Sequence, residues 1–123
     1  MTAPATYGAP AFDAVEIVRP GECGTALLNV TGTLPVFAAH FPRYPTLPGM
    51  LLLESGIALV RAVADEPLLR LRETRGLRFR RFVVPGDQVL LTVERRAEPD
   101  EWGLRAEVEG ELAAVAVALR VRR

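Results

Sequence analysis

Apolar residues near the start of the chain fall in two short runs, Phe12 to Val18 and Cys23 to Thr31, on either side of Arg19-Pro20-Gly21-Glu22. A Pro-Gly pair inside a four-residue break is a turn signal, so the two runs predict an antiparallel hairpin. Thr33 to Pro48 then carries Pro35, Pro42, Pro45 and Pro48, too many for regular structure, and predicts a fixed irregular loop. From Met50 to about Ala64 there is no proline, and Asp65-Glu66-Pro67 supplies a stop, which predicts a helix. Met50, Leu51, Leu52, Leu53, Ile57, Ala58, Leu59, Val60, Ala62 and Val63 do not fit one stripe, so that helix is expected to be buried all round.

Four strand-like segments follow, roughly Arg72 to Val83, Gln88 to Arg96, Glu101 to Glu109 and Leu112 to Arg122, with Pro85-Gly86 as the clearest turn. Val89, Leu91 and Val93 alternate and should point inward. In the last segment Val115, Val117, Leu119 and Val121 are expected on one face and Ala114, Ala116 and Ala118 on the other, the signature of a central strand. Two strands, a buried helix and four more strands imply an α+β architecture, a six-stranded antiparallel sheet curled around one long central helix. Residues 1–11 are expected to form a flexible tail and 12–123 a single domain.

At 123 residues, half of them apolar, the chain is long enough to bury a core without staples. Its formal charge is zero, which argues against a nucleic-acid binder. One cysteine, Cys23, excludes an internal disulfide, and with no Cys or His at ligand spacing no metal site is expected. The run from Met50 to Val60 is too short to span a bilayer, and residues 1–10 lack a basic and an apolar region of a signal peptide. A cytoplasmic protein without membrane contact is therefore expected.

Two residues stand out as chemistry. His40 is the only histidine in the chain, set between Phe37-Ala38-Ala39 and Phe41-Pro42. A lone histidine is more often a packed or solvated residue than a catalyst. Glu54 is the only formally charged residue between Arg43 and Arg61, in a segment that is otherwise almost wholly apolar. An ionised carboxylate buried without a partner costs several kcal/mol, so Glu54 must be paired, protonated or at a cavity. Its ordinary explanation is a glutamate at the helix's one wet spot, or one bonded to a backbone group.

The stretch from His40 to Glu54, His-Phe-Pro-Arg-Tyr-Pro-Thr-Leu-Pro-Gly-Met-Leu-Leu-Leu-Glu, resembles the signature H-F-P-G-H-P-x-x-P-G-x-L-x-x-E of the (3R)-hydroxyacyl-[acyl-carrier-protein] dehydratases. Leu77 to Asp87 is similar to the same family's strand and turn, which usually ends R-P-V-V-P-G-D, and Gly110 to Ala114 matches its final hairpin. The resemblance covers roughly residues 12 to 122. It implies a hot-dog fold that dimerises through its sheets, with two active sites at the dimer interface. It also implies that His40 and Glu54 are the catalytic pair, Glu54 coming from the neighbouring subunit, and that the Gly49 N–H holds the thioester carbonyl. The implied reaction turns a (3R)-hydroxyacyl thioester into the 2-enoyl thioester. No cofactor is expected beyond the phosphopantetheine or coenzyme A arm of the substrate, and an acyl carrier protein is the expected partner.

Residue chemistry agrees with that assignment. Dehydration needs a base for the C2 proton, an acid for the C3 hydroxyl and a donor for the enolate-like oxygen. Imidazole suits the base. A carboxyl kept protonated by an apolar helix suits the acid. An N–H at a helix start is free of the intrahelical ladder and suits the donor. Pro48 fixes the approach to the helix or is simply a helix-start proline. Phe41 and Tyr44 are further candidates for the substrate site, Tyr44 either supplying a hydroxyl or lining the channel.

Arg43, Tyr44 and Ala58 depart from the family pattern, which has Gly, His and often Gln there. These departures weaken the polar support of the pair and favour a specialised polyketide or polyene setting over fatty-acid housekeeping. Arg70, Arg72, Arg75, Arg78, Arg80 and Arg81 crowd one stretch, either as a solvated face or, with Arg78, Arg80 and Arg81 at its centre, as a dock for an acidic carrier. The competing readings are a hot-dog thioesterase, since fold alone does not select the reaction, and a non-catalytic partner in a heterodimer with a related hot-dog subunit. Homodimers, or higher assemblies of dimers, are the other expected states.

Overall fold

The structure, a computed structural model, describes residues 11–31, 33 and 47–123. Its elements in chain order are β1 (Ala14–Arg19), β2 (Cys23–Asn29), α1 (Gly49–Ala64), β3 (Arg70–Arg75), β4 (Arg78–Phe79), β5 (Gln88–Arg95), β6 (Glu101–Val108) and β7 (Glu111–Arg122). All the strands belong to one antiparallel sheet ordered β1-β2-β5-β6-β7-β3, with β4 also pairing β7. The first hairpin closes as the Pro-Gly signal predicts: Glu22 N donates to Arg19 O at 2.9 Å and Gly21 takes φ 74°.

Helix α1 lies on one face of this sheet. Ala26, Leu91 and Ala106 are cross-strand partners, and their same-face neighbours Leu28, Val89, Val93, Leu104 and Val108 join Leu52, Ile57, Leu59, Val60 and Val63 of the helix in one apolar core. The helix comes close enough that a Cβ on Gly56 would stand 2.6 Å from Leu104 Cδ2. It stops where expected, with Asp65 in the left-handed region at φ 55° and Glu66 N donating to Arg61 O at 3.0 Å.

The structure corrects three expectations. The segment 72–83 is not one strand: Gly76, at φ 66° and packed so closely on Val117 that a Cβ placed there would meet Val117 Cγ2 at 2.5 Å, separates β3 from β4, so the sheet has seven strands rather than six. In β7 the register with β6 slips between Trp102 and Leu104, three β7 residues spanning two of β6. That bulge reverses the alternation. Ala114 and Ala116 before it and Leu119 and Val121 after it are buried, whereas Val117 is exposed, so the four odd-numbered residues do not share a face.

The third correction concerns α1. Leu51, Leu52, Leu53, Ser55, Gly56, Ile57, Leu59, Val60 and Val63 are buried, but Met50, Glu54 and Ala62 are exposed and Ala58 is only half-buried. These four are spaced four apart and form a single outward stripe. The sheet covers the rest of the helix but not this line, because α1 packs against one sheet face only.

The sheet's outer strands are β1 and β3, and among the described residues β3 pairs with β7 alone. No helix among the described residues is long and apolar enough to cross a membrane. The expected tail lies, except for Ala11, outside the described residues, as does nearly all of the expected proline-rich loop.

Candidate active site

Of the residues singled out from sequence, His40, Phe41 and Tyr44 lie outside the described residues, and the structure locates Pro48, Gly49, Glu54, Arg78, Arg80 and Arg81. Pro48 caps α1 with φ −58° and ψ 138°, and its carbonyl accepts from Leu51 N at 2.9 Å. One residue earlier, Leu47 N donates to Val83 O at 2.7 Å, tying the helix start to the segment that leads into Pro85-Gly86. Gly49 is the first helical residue, so its N–H stands outside the helix ladder at the positive end of the helix dipole.

A side chain at position 49 has no room. A Cβ there would lie 2.6 Å from Phe79 Cζ and 2.7 Å from Cε1, because the Phe79 ring rests on the helix start. The ring and Gly49 share a cleft of about 400 Å³ with Pro48, Met50, Phe82 and Val83. Sequence reasoning did not select Phe79, Phe82 or Met50. The signal available for Phe82 was its place in the motif, where the family pattern has proline.

Glu54 faces a second cleft, of about 450 Å³, on the outward stripe of α1 between the helix and the edge strand β3; Met50, Ile57, Ala58, Arg61, Arg70 and Leu71 also line it. Its side chain is exposed in the single chain, which corrects the expectation of a carboxyl dried by its own helix. Among the described residues it makes no ion pair. Of the three options for this glutamate, the chain's own fold selects the cavity. Glu54 and Gly49 lie five residues apart on one helix, about one and a half turns.

The arginines divide. Arg81 pairs with Glu111 at 3.2 Å and with Asp87 at 3.6 Å, while Asp87 Oδ2 accepts from Val84 N at 2.9 Å. Arg81 and Asp87 are thus struts of the turn. Arg78 and Arg80 are exposed and make no ion pair among the described residues. Next to the acid of α1, Ser55 is fully buried and its hydroxyl finds no partner among the described residues. Among those residues no group of three His, Cys, Asp or Glu side chains is placed to hold a metal ion.

The profile of the ApeI-like family, described as ApeI dehydratase, matches residues 17–116. The chain belongs to this family. It is 40% identical over 113 residues to the 3-hydroxyacyl-[acyl-carrier-protein] dehydratase FabZ of Listeria monocytogenes, covering 85% of this chain and 78% of that protein. Against the FabZ of Polynucleobacter asymbioticus the figures are 38% over 114 residues, 85% and 76%. Among solved structures, the dehydratase heterocomplex ApeI:P from Xenorhabdus doucetiae superimposes with a TM-score of 0.80 at 19% identity, over 93% of this chain and 98% of that one. A likeness at that identity speaks for the fold, and the fold is the expected hot-dog. The ApeI-like chain is accordingly a dehydratase, which sets aside the thioesterase reading.

Proposed function

We propose that this dehydratase removes water from a (3R)-hydroxyacyl thioester borne on an acyl carrier protein, with His40 and Glu54 as its proton-transfer pair. The observation that carries the reading is the position of Glu54. It stands on the one helix stripe that the sheet leaves open, in a cleft beside an edge strand with a free side, while the Gly49 N–H opens the same helix. A carboxyl in that position acts only if something closes the cleft and removes its water. A second subunit laid along β3 and α1 does so, in keeping with the site shared between Glu54 and the neighbour's His40 that the family resemblance implies.

In the proposed step the His40 imidazole takes the C2 proton, and the thioester oxygen gathers charge at the Gly49 N–H. The C3–O bond then breaks as Glu54 gives its proton to the leaving hydroxyl. A C2=C3 double bond and one water result, so atoms and charge balance without a metal or prosthetic group. Arg78 and Arg80, exposed and without an ion pair among the described residues, suit an acidic carrier. A carrier-dependent pathway fits a cytoplasmic setting.

The ApeI:P dehydratase of Xenorhabdus doucetiae is a heterocomplex, so the second subunit here is either another copy or a related hot-dog chain. Native mass of the purified protein separates these. The reaction is tested by incubating the protein with 3-hydroxyacyl and plain acyl thioesters on carrier protein. Enoyl product from the first without free thiol from either is the expected result, and free thiol without enoyl product would overturn the reading.

A further inference from the structure

The cleft at the helix start has a wall that the proton-transfer chemistry does not use. Phe82 is 77% exposed, Met50 63% and Phe79 50%, three large apolar side chains turned into one opening of about 400 Å³. Scattered exposed apolar residues are ordinary, but a cluster around a concavity marks a surface built to be covered.

Phe82 is held in this position. Its neighbour Arg81 is clamped by Glu111 and Asp87, and its other neighbour Val83, 2% exposed, accepts from Leu47 N at 2.7 Å. Both flanking residues are anchored, and the Phe82 ring between them stands exposed in the lining of the cleft. The dehydratase motif matched by this stretch has proline at position 82, a ring too small to reach across. Phe82 is therefore an addition of this chain to a turn whose other parts, Val83 to Asp87, follow the pattern.

We propose that Phe79 and Phe82 with Met50 form the acyl-binding wall of this enzyme and select substrates whose apolar chain extends well beyond C3. The proposal rests on the placing of the thioester carbonyl at the Gly49 N–H. A carbonyl held there has the Phe79 ring at its side, since that ring already touches the Gly49 backbone, and the chain leaving it runs next along Phe82. Arg81, the one charged residue of this wall, has its charge taken up by Asp87 and Glu111, so the cleft offers an acyl chain apolar surface and no free ion. A second copy is expected elsewhere, along the Glu54 cleft and β3.

The test compares wild type with Phe82→Ala and Phe82→Pro, the latter restoring the motif residue. Phe82 N makes no backbone hydrogen bond among the described residues, so proline removes none. Two readouts are taken over a series of chain lengths: kcat/KM for 3-hydroxyacyl thioesters, and Kd for unreactive acyl-pantetheine thioethers measured by calorimetry. Both variants should lose about tenfold to a hundredfold on long chains in either readout and less than about threefold on the shortest. The binding series keeps this test separate from the identity of the reaction. Equal losses at every length, or no loss on long chains, would overturn the proposal, as would a change in native mass with unchanged chain-length preference.

Discussion

Replacing Gly49 with alanine separates two reasons for a glycine at the helix start. Gly49 has no positive φ, so alanine fits its backbone, and in a helix alanine is favoured over glycine by up to about 1 kcal/mol. Against this, the new Cβ would sit 2.6 Å from Phe79 Cζ, where an ordinary contact begins at 3.4 Å, so the ring must give way by about 0.8 Å. In a tight core such overpacking costs roughly 1–3 kcal/mol. Phe79 is half exposed and can swing toward solvent, so the two terms nearly cancel and Tm should stay within about 4 °C of wild type.

Activity should not be spared. The displaced ring moves across the place assigned to the thioester, and a misplacement on the order of 1 Å is worth up to about 10²-fold in rate. Gly49→Ala should therefore lower kcat/KM about tenfold to a hundredfold, followed as enoyl-thioester formation. Phe79→Ala removes the obstacle, so the double variant should perform like Phe79→Ala alone. If the double variant is clearly more impaired than Phe79→Ala alone, the glycine is needed for the approach of the carbonyl itself and the account of the ring is wrong.

His40→Ala and Glu54→Gln should each fold normally and lose about 10²–10⁴-fold in dehydration, yet a mixture of the two after verified subunit exchange should regain about a quarter of wild-type activity, because about half of the dimers carry one intact site. A mixture that stays inactive would place the two residues in one subunit. Arg80→Glu should weaken turnover of carrier-bound substrate far more than of short thioester mimics at unchanged Tm, whereas Arg81→Glu, which sets a third carboxylate beside Asp87 and Glu111, should cost about 1–2 kcal/mol on a urea melt. The same loss of stability in both variants would refute the division of the arginines. Glu101, 6% exposed, is held by Arg75 at 3.1 Å and Arg120 at 3.5 Å, both well exposed. Arg75→Ala with Arg120→Ala strands a buried carboxylate and should cost about 2–3 kcal/mol, more than Glu101→Gln, which leaves two solvated cations; the reverse order on chemical denaturation would contradict this.

What the chain states locally, it states well. The turn at Pro20-Gly21, the helix between Pro48 and Asp65, the turn at Pro85-Gly86 and the inward row Val89, Leu91 and Val93 all follow from the dihedral limits of a few residues and from period. The stretch from His40 to Glu54 is equally a property of the sequence, and its resemblance to the dehydratase signature implied the reaction class.

Four features depended on how distant segments meet. The bulge in β7 belongs to its pairing with β6, so no alternation read along β7 alone could show that Val117 turns outward while Leu119 turns in. The break at Gly76 becomes necessary only because Val117 lies beside it. An apolar helix does not reveal which of its sides the sheet will reach, and the stripe of Met50, Glu54, Ala58 and Ala62 became the open one when the helix settled on a single sheet face. Arg80 and Arg81 are adjacent and chemically identical, and only the fold brings Asp87 and Glu111 to Arg81 and not to Arg80. Period and turn chemistry act over a few residues and can be read along the chain, whereas register, coverage and ion pairing are properties of segments that come together only in the folded sheet.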